Sequence, residues 1–143
     1  MAKVTKETKK QSSNQTPVSY GTGRRKSAIA RVWLRRGKGV MLINGIPYEK
    51  YFNTELSRLE ASKPFRVCEE SSKYDAEVNI VGGGKIAQAD AVKLGFSRAL
   101  VSMYENLKPI LRQHNLLTVD SRVKERKKYG QKAARRKFQF VKR

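Results

Sequence analysis

The densest chemical signal in the sequence is its basic C-terminal segment, residues 122–143. This segment holds eleven Lys and Arg residues against one acid, Glu125, so it carries +10 of the formal net charge of +20 of the 143-residue chain. Tyr129, Phe138 and Phe140 interrupt the cations. Cationic side chains contact phosphates and release condensed counterions, and aromatic rings can stack on unpaired bases. This mixture predicts a segment that binds nucleic acid, with a generic solvated tail as the alternative.

A second cluster of cations precedes the first strand-like segment of the chain. Arg24, Arg25 and Lys26 follow one another between Gly23 and Ser27. Three consecutive cations beside a glycine are well placed for phosphate contacts, although the same residues would also serve as a polar leader to a strand. The strongly positive net charge favours the phosphate-binding interpretation.

A third candidate is the run of Gly82, Gly83 and Gly84 before Lys85. A glycine turn that opens a helix can hold an anion at the helix N-terminus. A P-loop is excluded, because Asn79 stands where its first glycine is required and Lys85 is not followed by Ser or Thr. We expect mainly a tight turn that requires positive φ, with contact to an RNA backbone as a second use.

Residues that could support catalysis are nearly absent. His114 is the only histidine, so no pair of histidines can bind a metal. Cys68 and His114 could act as nucleophile and base, but a buried inert thiol is the simpler interpretation of Cys68. Glu69 and Glu70 are neighbours that would point about 100° apart on a helix, which makes a poor acid/base pair. We predict no catalytic residue, no metal, no cofactor and no small-molecule substrate.

The cysteine count, the apolar runs and the N-terminal composition bear on the cellular location of the chain. A single cysteine excludes an intrachain disulfide and suits a reducing compartment. No apolar run approaches the roughly 18 residues that a membrane span needs. The polar N-terminus matches neither a secretory leader nor an Arg-rich amphipathic transit peptide, which favours the bacterial cytoplasm over an organelle.

The strand pattern begins after the first basic cluster. Alternation over residues 27–34, a glycine turn at 36–39 and a second apolar run at 40–43 predict a β-hairpin. Asn44 and Gly45 predict a tight turn, because both residues accept positive φ.

Trp33 lies on one face of the first predicted strand, where it alternates with Arg31 and Arg35. It could form the edge of the core or a surface that stacks on RNA, and the sequence leaves both open.

Helical signals dominate the second half of the chain. An apolar stripe of period 3.6 predicts a long helix over residues 88–113, interrupted near Pro109. Pro64 is predicted to be the first residue of a short helix. Residues 76–81 predict a strand, and 116–119 a strand or extended segment. Strands and helices in this order predict an α+β two-layer sandwich.

Composition divides the chain into three parts. Residues 1–19 are polar and predicted to be a disordered N-terminal extension, and residues 20–121 to be the α+β globular domain. Residues 122–143 are predicted to be an extended basic tail, which at about 3.3 Å per residue could reach roughly 70 Å.

Three separated blocks resemble one known family, the bacterial type of small-subunit ribosomal protein nine. The blocks are Gly21-Thr22-Gly23-Arg24-Arg25-Lys26-Ser27-Ala28-Ile29-Ala30-Arg31-Val32, Gly82-Gly83-Gly84 with Gln88-Ala89-Asp90-Ala91, and Asp120-Ser121-Arg122 with Glu125-Arg126-Lys127-Lys128-Tyr129-Gly130. The resemblance covers about residues 20–143. It implies a non-enzymatic structural constituent of the small ribosomal subunit that supports translation in the cytoplasm.

The resemblance also implies a fold, partners and sites. The fold would be the two-layer sandwich shared with the second domain of small-subunit ribosomal protein five. The body would bind rRNA in the subunit head, beside neighbouring head proteins, and the tail tip at Lys142 and Arg143 would contact P-site tRNA. The residues predicted to bind rRNA are Arg24, Arg25, Lys26, Arg31, Lys85, Arg122, Lys124, Arg126, Lys127, Lys128, Tyr129, Lys132, Arg135, Arg136 and Lys137.

Two rival functions remain open at this point. A non-ribosomal nucleic-acid binder or RNA chaperone would share the same charge pattern. A phosphotransfer enzyme could share the same superfold, because fold alone does not determine function.

Overall fold

The computed structural model describes residues 16–140, which form a mixed α+β fold. Its five strands are Ser19–Arg25 (β1), Ala28–Arg36 (β2), Met41–Ile43 (β3), Ile46–Pro47 (β4) and Tyr74–Val81 (β5). Its helices are Tyr48–Tyr51 (α1), Glu55–Val67 (α2), Lys85–Met103 (α3) and Lys108–Gln113 (α4), with 3-10 turns at Glu69–Lys73 and Glu105–Leu107. The predicted α+β class is confirmed. Residues 1–15, most of the predicted N-terminal extension, and 141–143 lie outside the described part.

The five strands form one sheet in the order β1-β2-β5-β3-β4. β2 pairs antiparallel with both β1 and β5, whereas β3 pairs parallel with β5. A parallel pair requires a crossover connection, and α1 and α2 lie in the segment between β3 and β5. The central strand β5 thus joins an antiparallel half of the sheet to a small mixed edge.

The predicted hairpin between residues 27–34 and 40–43 is wrong in its pairing. Both strands exist, but β5 lies between them. The Asp75 carboxylate near the start of β5 accepts hydrogen bonds from the backbone N–H groups of Lys38 and Val40, at 2.8 and 2.9 Å. These bonds hold the glycine turn against the intervening strand. Alternation of apolar residues locates a strand but does not identify its neighbours.

Strand β1 was not predicted, and it contains Gly23, Arg24 and Arg25, for which a polar leader to a strand was the alternative interpretation. Its inward-facing positions include Gly21 and Gly23, which have no side chain, so alternation is invisible in the sequence. β1 begins at Ser19, one residue inside the segment predicted as the N-terminal extension. Its true hairpin partner is β2, in a register that pairs Tyr20 with Trp33.

The turn at Asn44 and Gly45 is confirmed, with φ angles of 48° and 79°. It joins β3 to the two-residue edge strand β4, whose second residue is Pro47. Proline is tolerated in this position because an edge strand leaves one side of its backbone unpaired.

The core lies between the inner face of the sheet and helices α2 and α3. Ala30, Val32 and Leu34 of β2 are fully buried, as are Val92 and Phe96 of α3. These residues are the alternating strand face and the helical stripe that the sequence indicates. The sheet therefore has one apolar covered face and one outer face.

The helical segments differ from prediction in their limits. Pro64 lies inside α2 and is buried, so its prediction as a helix start is wrong. The predicted helix 88–113 begins earlier, at Lys85, and divides after Met103. The expected interruption is present, and Pro109 lies in the first turn of α4, where its missing N–H is tolerated. Residues 116–119 form no regular strand.

Within residues 16–140, no helix combines the length and the apolar character needed to cross a bilayer.

Candidate nucleic-acid interface

The first basic cluster is divided by the pleat of β1. Arg24 is exposed on the outer face of the sheet, whereas Arg25 is turned toward α3 and half-buried. Lys26 is exposed in the turn between β1 and β2, with a φ of 53°. Successive strand residues point to opposite faces, so the three cations do not form one surface.

Arg25 connects the globular body to the start of the tail. Its Nη2 lies 2.9 Å from Asp120 Oδ2, and its Nε lies 3.6 Å from Asp90 Oδ2 on α3. Nη1 donates to the backbone carbonyl of Arg122 at 2.7 Å. Only 13% of the Arg25 side chain is exposed. The guanidinium is therefore used within the protein, and its predicted contact with rRNA stays a prediction.

Asp120 and Arg122 form a tight local pair at the same junction. Arg122 Nη2 and Nε approach the two Asp120 carboxylate oxygens at 2.7 and 3.0 Å, and the Arg122 backbone N–H donates to Oδ1 at 3.0 Å. These hydrogen bonds hold the pKa of Asp120 far below its usual value and raise the pKa of Arg122. The carboxylate stays charged and gives the tail a defined starting direction.

The ion-pair network extends from this junction to α2. Lys93 Nζ lies 2.6 Å from Glu60 Oε2 and 3.0 Å from Asp90 Oδ1. Burial opposes the charge on Lys93, but the hydrogen bonds to Glu60 and Asp90 outweigh it and raise its pKa. The hydrogen bond from Lys93 lowers the pKa of Glu60. Asp90 thus faces both Lys93 and Arg25 and couples the helices to the start of the tail.

Trp33 lies on the outer face of the sheet and not in the core. Its ring centroid is 5.5 Å from that of Tyr20 on β1, and Tyr20 is 47% exposed. Arg31, two residues earlier on the same face, is exposed, while Arg35 forms an ion pair with Glu77 at 2.8 Å. The outer face thus combines a pair of aromatic rings with an accessible guanidinium.

The glycine turn before α3 adopts the predicted positive φ angles, 72° at Gly82 and 69° at Gly83. Lys85, the first residue of α3, places its Nζ 3.4 Å from the centroid of the Tyr51 ring. This cation–π contact holds the ammonium against the body. The tight-turn role is confirmed, and contact of Lys85 with RNA stays a prediction.

The sequence predicts an extended tail. The described part of the tail is not uniformly extended. Gln131 and Lys137 form an isolated β-bridge, and Gly130 has a φ of 68° just before it. Every described residue from 122 onward is exposed except Gln131 and Ala134, which are half-buried. Tyr129 and Phe140 are fully exposed.

The described tail thus carries these predicted rRNA-binding residues on its surface: Lys124, Arg126, Lys127, Lys128, Tyr129, Lys132, Arg135, Arg136 and Lys137. Lys142 and Arg143, predicted to contact tRNA, lie outside the described residues.

The catalytic alternative for Cys68 has no geometric support. Cys68 is 1% exposed, and burial raises the pKa of its thiol, which disfavours the reactive thiolate. His114 is exposed at the C-terminal end of α4. Across residues 16–140, His, Cys, Asp and Glu form no group of three or more that could hold a metal ion.

Comparison with known proteins agrees with this basic, non-catalytic surface. A family model described as ribosomal protein S9/S16 matches residues 23–143. The small ribosomal subunit protein uS9 of Cytophaga hutchinsonii is 47% identical over 121 residues, which cover 85% of this chain and 94% of the relative. Those of Chlorobaculum parvum and Maridesulfovibrio salexigens are 48% and 47% identical, over 94% and 96% of their lengths.

The chain is therefore a ribosomal protein, a structural constituent and not an enzyme. It belongs to the ribosomal protein S9/S16 family. The resemblance described from the three sequence blocks is therefore confirmed, and the phosphotransfer alternative is set aside.

Sequence reasoning missed the acids of the site. Asp90 and Asp120 lie within the blocks that resemble the family, but the sequence alone predicts no role for either. The signal was available at Asp120, because an acid two residues before the tail's first arginine favours a local ion pair. For Asp90, only the fold brings the side chain near Arg25.

Proposed function

We propose that the chain binds the rRNA of the small-subunit head through its globular body and the first part of its tail. The tip of the tail, at Lys142 and Arg143, is proposed to contact P-site tRNA. The observation that carries the proposal is the charge of residues 122–143, where eleven cations accompany one acid, together with the exposure of nearly all the residues described between 122 and 140. Phosphate contacts of this kind supply affinity without choosing a base sequence.

The body adds a second proposed contact surface. Arg24 and Arg31 are exposed on the same outer face of the sheet as the paired rings of Tyr20 and Trp33. Arginine donates two parallel hydrogen bonds to phosphate, and aromatic rings accept unstacked bases. Trp33, whose role the sequence left open, is proposed to face RNA. We also propose that the chain contacts neighbouring proteins of the subunit head and acts in the bacterial cytoplasm.

Association with the subunit is tested by sedimentation of the tagged chain in low-magnesium gradients. We expect it to migrate with small subunits. A chain that migrates free of them would support the RNA-chaperone alternative and contradict the proposal.

The role of the tail tip is tested by deleting residues 140–143. We predict nearly normal subunit assembly but weaker P-site tRNA binding, because these residues are distant in sequence from Asp120 and Arg122, whose contacts with Arg25 secure the start of the tail. The measurements are subunit yield and tRNA affinity of purified subunits. Defective assembly combined with normal tRNA affinity would contradict the assignment.

A further inference from the structure

The tail contains one acid, Glu125, and this acid is paired across ten residues. Arg135 Nε donates to both Glu125 carboxylate oxygens, at 3.1 and 2.9 Å, and Arg135 Nη2 also contacts the carboxylate. Lys128 Nζ lies 3.9 Å from Oε2 of the same carboxylate. The hydrogen bonds from Arg135 lower the pKa of Glu125. A single carboxylate therefore organises two of the tail's cations.

Backbone hydrogen bonds close a smaller loop over residues 131–137, which contains Arg135. The Lys132 N–H donates to the Arg136 carbonyl at 2.9 Å, next to the bridge between Gln131 and Lys137. Lys128 Nζ donates to the Ala134 carbonyl at 3.1 Å. We define residues 125–137 as the tail loop. Its closure rests on the Glu125–Arg135 pair at one point and on backbone hydrogen bonds at another.

The tail loop leaves most of its cations directed at solvent. Lys127, Lys132, Arg136 and Lys137 are exposed, and none of them forms an ion pair within the described part of the chain. The loop groups these cations in a short stretch of structure. A strand of the same composition would instead spread them over a longer line at about 3.3 Å per residue.

We propose that the tail loop is a preformed site for the sugar-phosphate backbone of rRNA, and that Glu125 is its positioning residue. The proposal rests on the proposed function and adds the role of the acid. Electrostatics alone makes Glu125 unfavourable, since it removes one unit of the charge that attracts phosphate. Its pairing with Arg135 reduces the conformational freedom that binding would otherwise remove, which strengthens binding.

Removal of the charge on Glu125 tests the proposal, because the two views predict opposite signs. If only charge matters, Glu125→Gln adds one positive unit and tightens binding to rRNA. If the loop matters, Glu125→Gln weakens binding by about threefold to tenfold, the range expected from loosening one or two ordered side chains. The measurement is the Kd of the full chain for a fragment of the small-subunit head rRNA at two salt concentrations.

Two matched variants complete the test. Glu105→Gln changes the charge equally at an exposed acid in the 3-10 turn outside the tail, and it should leave the Kd unchanged or slightly tighter. Exchanging the partners, Glu125→Arg with Arg135→Glu, keeps the net charge and should restore at least half of the lost affinity. Backbone amide exchange at Lys132, measured without RNA, should accelerate in Glu125→Gln and recover in the exchanged pair.

The outcomes separate the loop from the function on which it rests. A wild-type chain with no salt-sensitive affinity for rRNA overturns the proposed function. A wild-type chain that binds rRNA, with Glu125→Gln binding as tightly or more tightly, overturns the tail loop alone. A parallel titration with tRNA identifies the phosphate source, and a loss confined to tRNA overturns the assignment to rRNA.

Discussion

Arg24 and Arg25 are neighbours in the sequence but perform different tasks in the structure. The pleat of β1 sends Arg24 to the exposed outer face and Arg25 toward the carboxylates of Asp90 and Asp120. Arg25 also donates to the backbone carbonyl of Arg122. An arginine can do this because its fork offers several donors in fixed directions, which lysine lacks. Composition identifies both residues as cations, and only the strand register separates their roles.

The different positions of these arginines lead to a test with two readouts. We expect Arg24→Gln to weaken rRNA binding and to reduce the slope of log K against log salt by about 1, without changing stability. Arg25→Gln should instead free the start of the tail. Limited trypsin digestion without RNA should therefore cut sooner after Arg122 in Arg25→Gln than in Arg24→Gln. Equal digestion of the two variants would refute the anchoring role of Arg25.

At the scale of elements, β1 packs closely against α3. A Cβ built on Gly23 would lie 1.8 Å from the Ala91 carbonyl oxygen, and one on Gly21 would lie 2.2 Å from the Gly95 carbonyl oxygen. Both obstacles are backbone atoms, which cannot rotate away as a side chain can. The glycines therefore allow the helix backbone to rest directly on the strand.

This packing predicts that Gly23→Ala is severely destabilising. The added methyl must push α3 away from β1, so we expect a loss of about 3 kcal/mol or more in the free energy of unfolding. Gly84→Ala is the matched control, since a Cβ there meets nothing within 4 Å and the residue has a negative φ. It should cost below about 1 kcal/mol. Urea denaturation followed by circular dichroism measures both, and similar losses would contradict the close approach.

The same elements show why the sequence predicted the core better than the topology. Alternation in β2 and the stripe of α3 identify residues that are in fact buried, such as Val32 and Phe96. Pairing could not be predicted, because β5 enters between β2 and β3 from more than 30 residues further along the chain. Gly21 and Gly23 leave no hydrophobic pattern, so β1 was invisible.

For the basic residues, too, the sequence predicts location better than contacts. A count of Lys and Arg locates the basic segment, and nearly all of its described residues are exposed. Arg25, Lys85 and Arg135 each contact a residue of the same chain that is distant in sequence or separated by a turn. Two of these partners are acids and one is an aromatic ring. No periodic pattern encodes such contacts, so they appear only when the chain is folded.

At the scale of the whole molecule, charge and fold are separated along the chain. The body, residues 20–121, has 17 basic and 10 acidic residues, whereas residues 122–143 have eleven basic residues and one acidic residue. Several acids of the body are paired with its cations, as in the contacts of Lys93 with Glu60 and Asp90. Folding therefore uses part of the body's charge internally, and the tail carries a disproportionate share of the charge that can reach a partner.

This separation predicts that the tail controls affinity for RNA but not the stability of the body. A chain that ends at Ser121 retains Asp120 and every residue of the buried core, so its melting temperature should stay within about 3 °C of the full chain, the shift expected for under 1 kcal/mol. Its affinity for head rRNA should fall steeply, and the slope of log K against log salt should fall by about half. Each lost phosphate contact removes about 0.7 to 0.9 from that slope.

The matched comparison removes charge from the body and leaves the tail intact. Arg24→Gln with Arg31→Gln deletes two exposed guanidinium groups of the outer sheet face, so the slope should fall by no more than about 2. Calorimetry and a salt titration of both proteins give the two quantities independently. If the truncated chain keeps the full slope, the body and not the tail supplies the phosphate contacts. If truncation lowers the melting temperature strongly, the tail contributes to the fold, contrary to its exposure.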